Sequence, residues 1–288
     1  MANVLSKGTK FPEKVVSQIF NTVKGKSTVA KLADSMPVSF TGNDVFTFSM
    51  DGEINIVSEN GTKPANSLVA EPVKVAPLKV VYQGRVSDEF MYASEEDKLD
   101  ILGAFIEGCG KKFAKGLDLM AMHGINPATG LPAASITSHL DQVQSVQVTV
   151  GSEDAALDDA IALIGEYDNT GFAISKAYAA TLGKMVTSEG VRLYPEFKLG
   201  GKPNSLAGVA ADVNSTVSNA TSKDLAIVGD WSAFKWGYAK DITVETIEFG
   251  DPDQTGVDLK ASNQIMLRAE AFLGFAVIVP EAFARVTE

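Results

Sequence analysis

Between Leu99 and Met120, apolar side chains recur every three or four positions, at Leu99, Leu102, Ile106, Cys109, Phe113, Leu117 and Met120. That spacing lays a single stripe along a helix of about seven turns. Ser94 is placed to cap this helix, and Glu95, Glu96 and Asp97 stand at the positive end of its dipole. Gly103, Gly108, Gly110 and Gly116 interrupt it, each at about 1 kcal/mol relative to alanine. Either a neighbour approaches this helix very closely or the helix bends. The turn residues of "HGINPATGLP" at 123–132 end it. A shorter stripe, Val15, Val16, Ile19, Phe20 and Val23, predicts an amphipathic helix that opens at Pro12 and stops at Gly25.

Between the two helices the period changes. "VFTFSM" at 45–50 and "VKVAPLKVVYQGRVS" at 73–87 predict the arms of a long ribbon, joined by "VSENGTKPANSLVAEP", a polar stretch rich in Gly, Asn and Pro. A two-stranded ribbon is marginal by itself in water, so Phe46, Phe48 and Met50 on one face and Val73 and Val75 on the return strand need a partner to cover them. From 137 to 240 short strands and helices alternate. Ser152 is set to cap "EDAALDDAIALIGEY", "GFAIS" reads as a strand, Ser175 caps "KAYAATLGKMV", and "SLAGVAADV" and "DLAIVGDW" read as further strands. The last section, "KDITVETIEF" and "NQIMLRAEAFLGFAVIVPEAFARV", is rich in β-branched residues and split by the turn "GDPDQTGVD".

Composition narrows the class. The chain has 288 residues, 45% apolar and 21% charged, which is ordinary for a folded soluble protein. No apolar run reaches the ~18 residues of a membrane span, and the opening "MANVLSKGTKFPEK" lacks a secretory core, so a cytosolic origin and no membrane partner are expected. With Cys109 as the single cysteine there is no internal disulfide, and with only His123 and His139 beside it no structural zinc centre is expected. The net charge of −11, with dispersed basic residues, excludes a nucleic-acid binder that grips phosphates.

No motif supplies a catalytic centre. "GKST" at 25–28 resembles the end of a phosphate loop, but Phe20 stands where the first glycine belongs, and the segment falls at a predicted helix C-terminus. "DPDQTGVD" carries Asp251, Asp253 and Gly256 at calcium-loop positions, yet Ser262 holds the twelfth place, where a bidentate glutamate is needed. It reads as a solvated hairpin turn. His123 and His139 lie in no nucleophile motif and read as structural. Asp158 with Asp159, and Glu95 with Glu96, are adjacent on helices, so each pair diverges. "LGGKPN" does not open a helix after a strand as a dinucleotide-binding turn does. No enzyme, cofactor or metal is expected.

The order of elements, joined to several words of sequence, resembles the major capsid protein of tailed bacteriophages, the Hong Kong 97-type fold. "INIVSENGTKPAN" followed by "VAPLKVVYQGRVSDEF" is similar to that family's extended loop and its return; "MHGINPATGLPAAS" is similar to the segment closing its spine helix; "AIVGDWSAFKWGY" and "NQIMLRAEAFLGFAVIVPEAFARV" resemble its later motifs. The resemblance covers nearly the whole chain. It implies an α+β fold with an N-terminal arm at 1–43, an extended β-ribbon or E-loop at 44–87, and a P-domain with a long spine helix at 88–136. It further implies an α/β A-domain at 137–240, P-domain return strands at 241–271 and an A-domain C-terminal strand at 272–288.

The same resemblance implies a structural protein that self-assembles into hexamers and pentamers of an icosahedral shell around double-stranded DNA, in the virion, after assembly in the host cytoplasm. Its E-loop lies over a neighbouring subunit, which assigns inter-subunit contacts to Phe46, Phe48, Met50, Glu59, Asn60, Lys63, Asn66, Val73 and Val75. Some members cross-link a loop lysine to a neighbour's asparagine with help from a glutamate; Lys63, Asn263 and Glu270 are the candidates here. The start close to the arm implies a separate scaffolding protein, and a portal protein, a decoration protein and packaged DNA without specific binding complete the implied partners. Two other classes fit parts of the pattern: an encapsulin-type nanocompartment shell, and a soluble α/β enzyme with an unrecognised site.

Overall fold

The computed structural model describes residues 13–50, 54, 56, 57, 59, 61, 63, 68–89, 95–149 and 151–288. Pro12, Asn60, Asn66 and Ser94, all given roles above, lie outside the described residues.

The N-terminal stripe forms α1 (Glu13–Lys26), followed at once by α2 (Thr28–Leu32). Gly25 is not the stop expected of it. The break falls at Ser27, whose hydroxyl accepts the Ala30 N–H at 3.1 Å and so caps α2. The long stripe forms α3 (Glu95–His123), 29 residues whose Leu102, Ile106, Cys109, Phe113, Leu117 and Met120 are buried. One of its four glycines is explained by a close approach: a Cβ on Gly110 would lie 2.7 Å from the Thr22 side chain of α1. At Gly103 and Gly108 a Cβ would meet nothing within 4 Å, and at Gly116 only an ordinary contact with Pro127 at 3.6 Å.

The strands are β1 (Asn43–Met50), β2 (Leu68–Val75), β3 (Pro77–Ser87), β4 (Gln144–Gln147), β5 (Gly171–Ser175), β6 (Ser205–Leu206), β7 (Val209–Asn214), β8 (Asp224–Gly229), β9 (Phe234–Ile247), β10 (Gln264–Val277) and β11 (Phe283–Thr287). Among the described residues they form a ribbon β1-β2, a three-stranded antiparallel sheet β3-β10-β9, and a mixed six-stranded sheet β4-β11-β8-β5-β7-β6. Residues 73–87 are therefore not one strand. At Ala76 the chain leaves the ribbon and enters the three-stranded sheet. "SLAGVAADV" is likewise a hairpin of β6 and β7, because Ala207 and Gly208 take φ of +50° and +86°, as a two-residue turn with both centres left-handed requires.

Two cores share the six-stranded sheet. Ala173, Ile227 and Phe283 point into a core with α1, α3 and the three-stranded sheet, while Phe172, Ile174, Ala226, Val228, Ala284 and Val286 point into a second. The second core is roofed by α4 (Ala155–Leu163) and α5 (Lys176–Leu182). Covered on both faces, β5 and β8 are buried along their whole length, which is why they read as unbroken apolar runs. Ser175 caps α5 through Tyr178 N–H as predicted; α4 begins later than predicted and is capped by Asp154. The stretch after α2 is stitched to β9 by Met36 N–H on the Trp236 carbonyl at 2.8 Å. Only glycine fits beside it, since a Cβ on Gly237 would lie 1.7 Å from the Met36 carbonyl oxygen.

Candidate functional site

The ribbon is anchored at its base and open beyond it. Val75 is fully buried with Val38, Ala276 and Ile278, and Val45 and Val73 pack against that group. The pairing runs from Asn43 opposite Val75 to Met50 opposite Leu68, with Val45 opposite Val73, Phe46 opposite Pro72 and Phe48 opposite Ala70. Successive residues alternate faces, so Val73 and Val75 share a face with Val45 and oppose that of Phe46. The expectation that Val75 waits for a neighbour is corrected, since its own chain buries it, whereas Val73 is half-buried against the same group. Phe46 is different, 61% exposed.

Further out, Ile54 is 95% and Ile56 103% exposed, with Val57 also exposed and Glu59 and Lys63 in solvent. The tip is thus not simply polar. Sequence reading passed over these three apolar residues because polar ones surround them, although the alternation in "INIV" was the available signal.

A groove of about 670 Å³ lies between α3, β3 and the turn after α3. Leu78, Val80, Tyr82, Phe113, Met120 and Ile136 line it, and the exposed Lys79, Lys112 and Lys115 stand at its rim. Apolar walls with a cationic edge suit an apolar segment that carries acid beside it.

The charged groups inside the fold are committed to structure. The Asp118 carboxylate, fully buried, accepts from Ser27 Oγ at 2.6 Å, Thr216 Oγ1 at 2.7 Å, Val29 N–H at 3.1 Å and Thr28 N–H at 3.2 Å. The "GKST" segment does present helix N–H groups to an anion, but the anion is the chain's own aspartate. Burial pushes the Asp118 carboxyl upward against those donors.

His123, at the end of α3, donates from Nε2 to the Thr216 carbonyl at 2.9 Å and faces Asp141 with Nδ1 at 2.9 Å. A backbone carbonyl only accepts, so Nε2 carries a proton, and the Asp141 carboxylate favours a second proton on Nδ1, the imidazolium form. Burial opposes that charge, yet Asp141 and the carbonyl hold the His123 pKa above its ordinary value. Arg285 Nη1 reaches Asp224 Oδ1 at 3.0 Å; burial and the nearby Asp141 carboxylate raise the Asp224 carboxyl to about 7.

Two cations thus face two carboxyls. Ser222 Oγ lies 3.2 Å from Nδ1, the same nitrogen that faces Asp141, while the serine side of a catalytic triad would need the other. His123, Asp141 and Asp224 are spaced as metal ligands could be, but Arg285 already supplies compensating charge. Cys109 is inert by the same logic, since burial pushes its thiol up to about 12.

Asn263 is exposed in a left-handed conformation just before β10, and Glu270 lies within β10, bound to Lys79 at 3.0 Å. Seven residues of strand separate them, about 24 Å. One chain does not bring them to a single bond, so a shared cross-link chemistry needs them from different subunits.

A model of the phage capsid family matches residues 8–287. A solved chain from Mycobacterium phage Ogopogo is 29% identical, with a TM-score of 0.79, over 91% of this chain and 91% of that one. A chain from Gordonia phage Cozz is 24% identical, with a TM-score of 0.75, over 99% and 89%. A chain from the capsid of an empty GTA particle shares the fold at 16% identity and a TM-score of 0.66, over 91% and 89%. None of the curated proteins matches.

Proposed function

The chain belongs to the phage capsid family, and from that premise we propose that its ribbon is one half of a contact completed by the next copy of the chain in a shell. The protein is a structural major capsid protein, and the encapsulin alternative is not favoured. In the finer reading the fold is of the Hong Kong 97 type: β1-β2 and their connection form the E-loop, α3 the P-domain spine, and the six-stranded sheet with its helices the A-domain. The subunits form hexamers and pentamers of an icosahedral shell around double-stranded DNA. No catalysis belongs to this role. A scaffolding protein, a portal and a decoration protein are its further partners, and assembly takes place in the host cytoplasm.

The observation that carries the reading is the exposure of Phe46, Ile54 and Ile56 on a ribbon whose base is already packed. Isolated surface leucines or isoleucines are common, but apolar side chains at a ribbon tip find no cover from their own fold. The lysine-rimmed groove beside α3 has the chemistry to receive such a segment from a neighbour, and the exposed Glu59 near the tip is of opposite charge to the lysines. The net charge of −11 keeps DNA from adhering to the wall.

Negative-stain electron microscopy after size exclusion tests the reading. Closed shells, or capsomer-sized rings that close when scaffold is added, are the expected result. Monomers under every condition, compact in scattering, would overturn it.

A further inference from the structure

The turn between β9 and β10 is not the solvated hairpin expected from sequence. Arg85, on β3 opposite Met266 of β10, sends its guanidinium into it across a sequence separation of 166 residues to Asp251. Its Nη2 lies 2.9 Å from Asp251 Oδ1, 2.6 Å from Thr255 Oγ1 and 3.0 Å from the Val257 carbonyl oxygen, and also binds Asp253 Oδ1. Counted from Asp251, these are positions one, five, seven and three. A calcium loop draws ligands from those same positions, the seventh through its backbone carbonyl, with glycine sixth. Gly256 is sixth here, at φ +83°. The first aspartate also accepts Thr255 N–H at 3.0 Å and Gly256 N–H at 2.7 Å, which closes the loop around the centre.

We propose that the Arg85 guanidinium is the resident cation of a calcium-type loop, holding 251–257 in its cation-bound shape without metal, and that removing it uncovers a divalent-cation site. What marks the bowl is the cation found in it, delivered from another strand. Nη2 has two hydrogens and four oxygen neighbours, so the arrangement is that of a charge centred among oxygens. Nε donates to Asp253 Oδ2 at 2.8 Å, making that pair bidentate, and Nη1 reaches Gln264 Oε1 at 3.2 Å. The guanidinium holds the Asp253 carboxyl well below the usual carboxylate range.

The missing twelfth ligand fits the same account. Ser262 donates its hydroxyl to the Asp258 carbonyl at 2.8 Å and makes no contact with the guanidinium itself, lying 3.4 Å from the Gln264 Oε1 that Arg85 Nη1 binds. A fixed guanidinium needs no bidentate closing residue. It ties β3 to the β9–β10 connection whatever the calcium concentration. The inference stands apart from the assembly reading, since it concerns one chain alone.

The test compares wild type with Arg85→Ala by calorimetric calcium titration and by thermal unfolding in EDTA and in calcium. Wild type is expected to bind no calcium and to keep one Tm in both. Arg85→Ala is expected to melt lower in EDTA, to bind one calcium with a Kd of about 10⁻⁴–10⁻³ M, the weak end for such loops, and to regain about 3 °C at calcium tenfold above Kd. Adding Asp253→Asn to that variant abolishes the response. If Arg85→Ala does not fold in EDTA, refolding in calcium but not magnesium supports the proposal. Calcium binding by wild type overturns it, as does an Arg85→Ala chain that neither binds calcium nor refolds in it.

Discussion

The ribbon β1-β2 and the sheet β3-β10-β9 are both antiparallel and are continuous through Ala76, yet they are stabilised differently. In the sheet, Ala269, Ala271 and Leu273 of β10 are buried in a core shared with α1 and α3. Its outer side carries polar pairs, Lys79 with Glu270 at 3.0 Å and Arg268 with Gln83 at 2.8 Å. In the ribbon the base is covered by Val38, Ala276 and Ile278, and among the described residues beyond it the apolar Phe46, Ile54 and Ile56 are exposed. The sheet is covered by the chain's own helix, whereas these side chains of the ribbon and its connection stand in solvent. On the proposed reading, fold stability resides in the first region and assembly in the second.

That division can be broken by substitution, read as the unfolding free energy of the unassembled chain. The largest loss is expected at Trp236→Ala in β9, about 3–5 kcal/mol, because the indole is fully buried and its N–H donates to the Ala33 carbonyl at 3.0 Å. Urea unfolding measures it, and assembly fails with it.

Next comes His123→Gln, at about 3 kcal/mol, since it strands the buried carboxyls that the imidazolium offsets. The pH dependence has a definite sign. The folded His123 pKa is raised, so its contribution is complete below the unfolded value near 6.5 and is lost as pH rises through the folded value. Asp224, raised to about 7, acts in the same direction. Stability of wild type should therefore fall as pH rises from about 4 towards 7 through Asp224 and, from about 6.5 upward, through His123 until its folded value is passed. The His123 part of that fall, above about 6.5, should be absent in His123→Gln.

The glycines of α3 give a smaller and two-signed effect. Gly103→Ala should stabilise by about 0.5–1 kcal/mol, having open space and a helical backbone. Gly110→Ala should destabilise, because its methyl meets Thr22. Equal shifts in Tm for the two would contradict the packing of α1 on α3.

The smallest change in unfolding free energy is expected from Ile54→Asp with Ile56→Asp, within about 0.5 kcal/mol. Assembly should nevertheless be lost. Size exclusion beside urea unfolding separates the two readouts, and shells that form normally from this variant would remove the ribbon from the contact.

Legibility in the sequence followed local periodicity. The stripe from Leu102 to Met120 foretold α3 because period 3.6 leaves little choice, and "GFAIS" foretold β5 because a doubly covered strand must be apolar throughout. Breaks set by distant partners were not legible. The run 73–87 divides at Ala76 because β10 pairs with its second half from nearly two hundred residues away. Ser27 ends α1 in place of Gly25 because Asp118 waits below it. Of the residues assigned to inter-subunit contacts, the exposure of Phe46 agrees with strand alternation, whereas Val75 was assigned to a neighbour because nothing local indicates that Ile278 will cover it. Arg85 in the 251–257 turn was invisible for the same reason.

Hydrogen–deuterium exchange of the unassembled chain and of assembled particles tests the central claim most directly. The account predicts that amides of β8, β9, β10 and the ribbon base around Val45 and Val75 are protected in both states, and that those of the outer ribbon and the tip around Ile54 and Ile56 gain protection only on assembly. A ribbon already protected in the free chain, or unprotected in the shell, would contradict it.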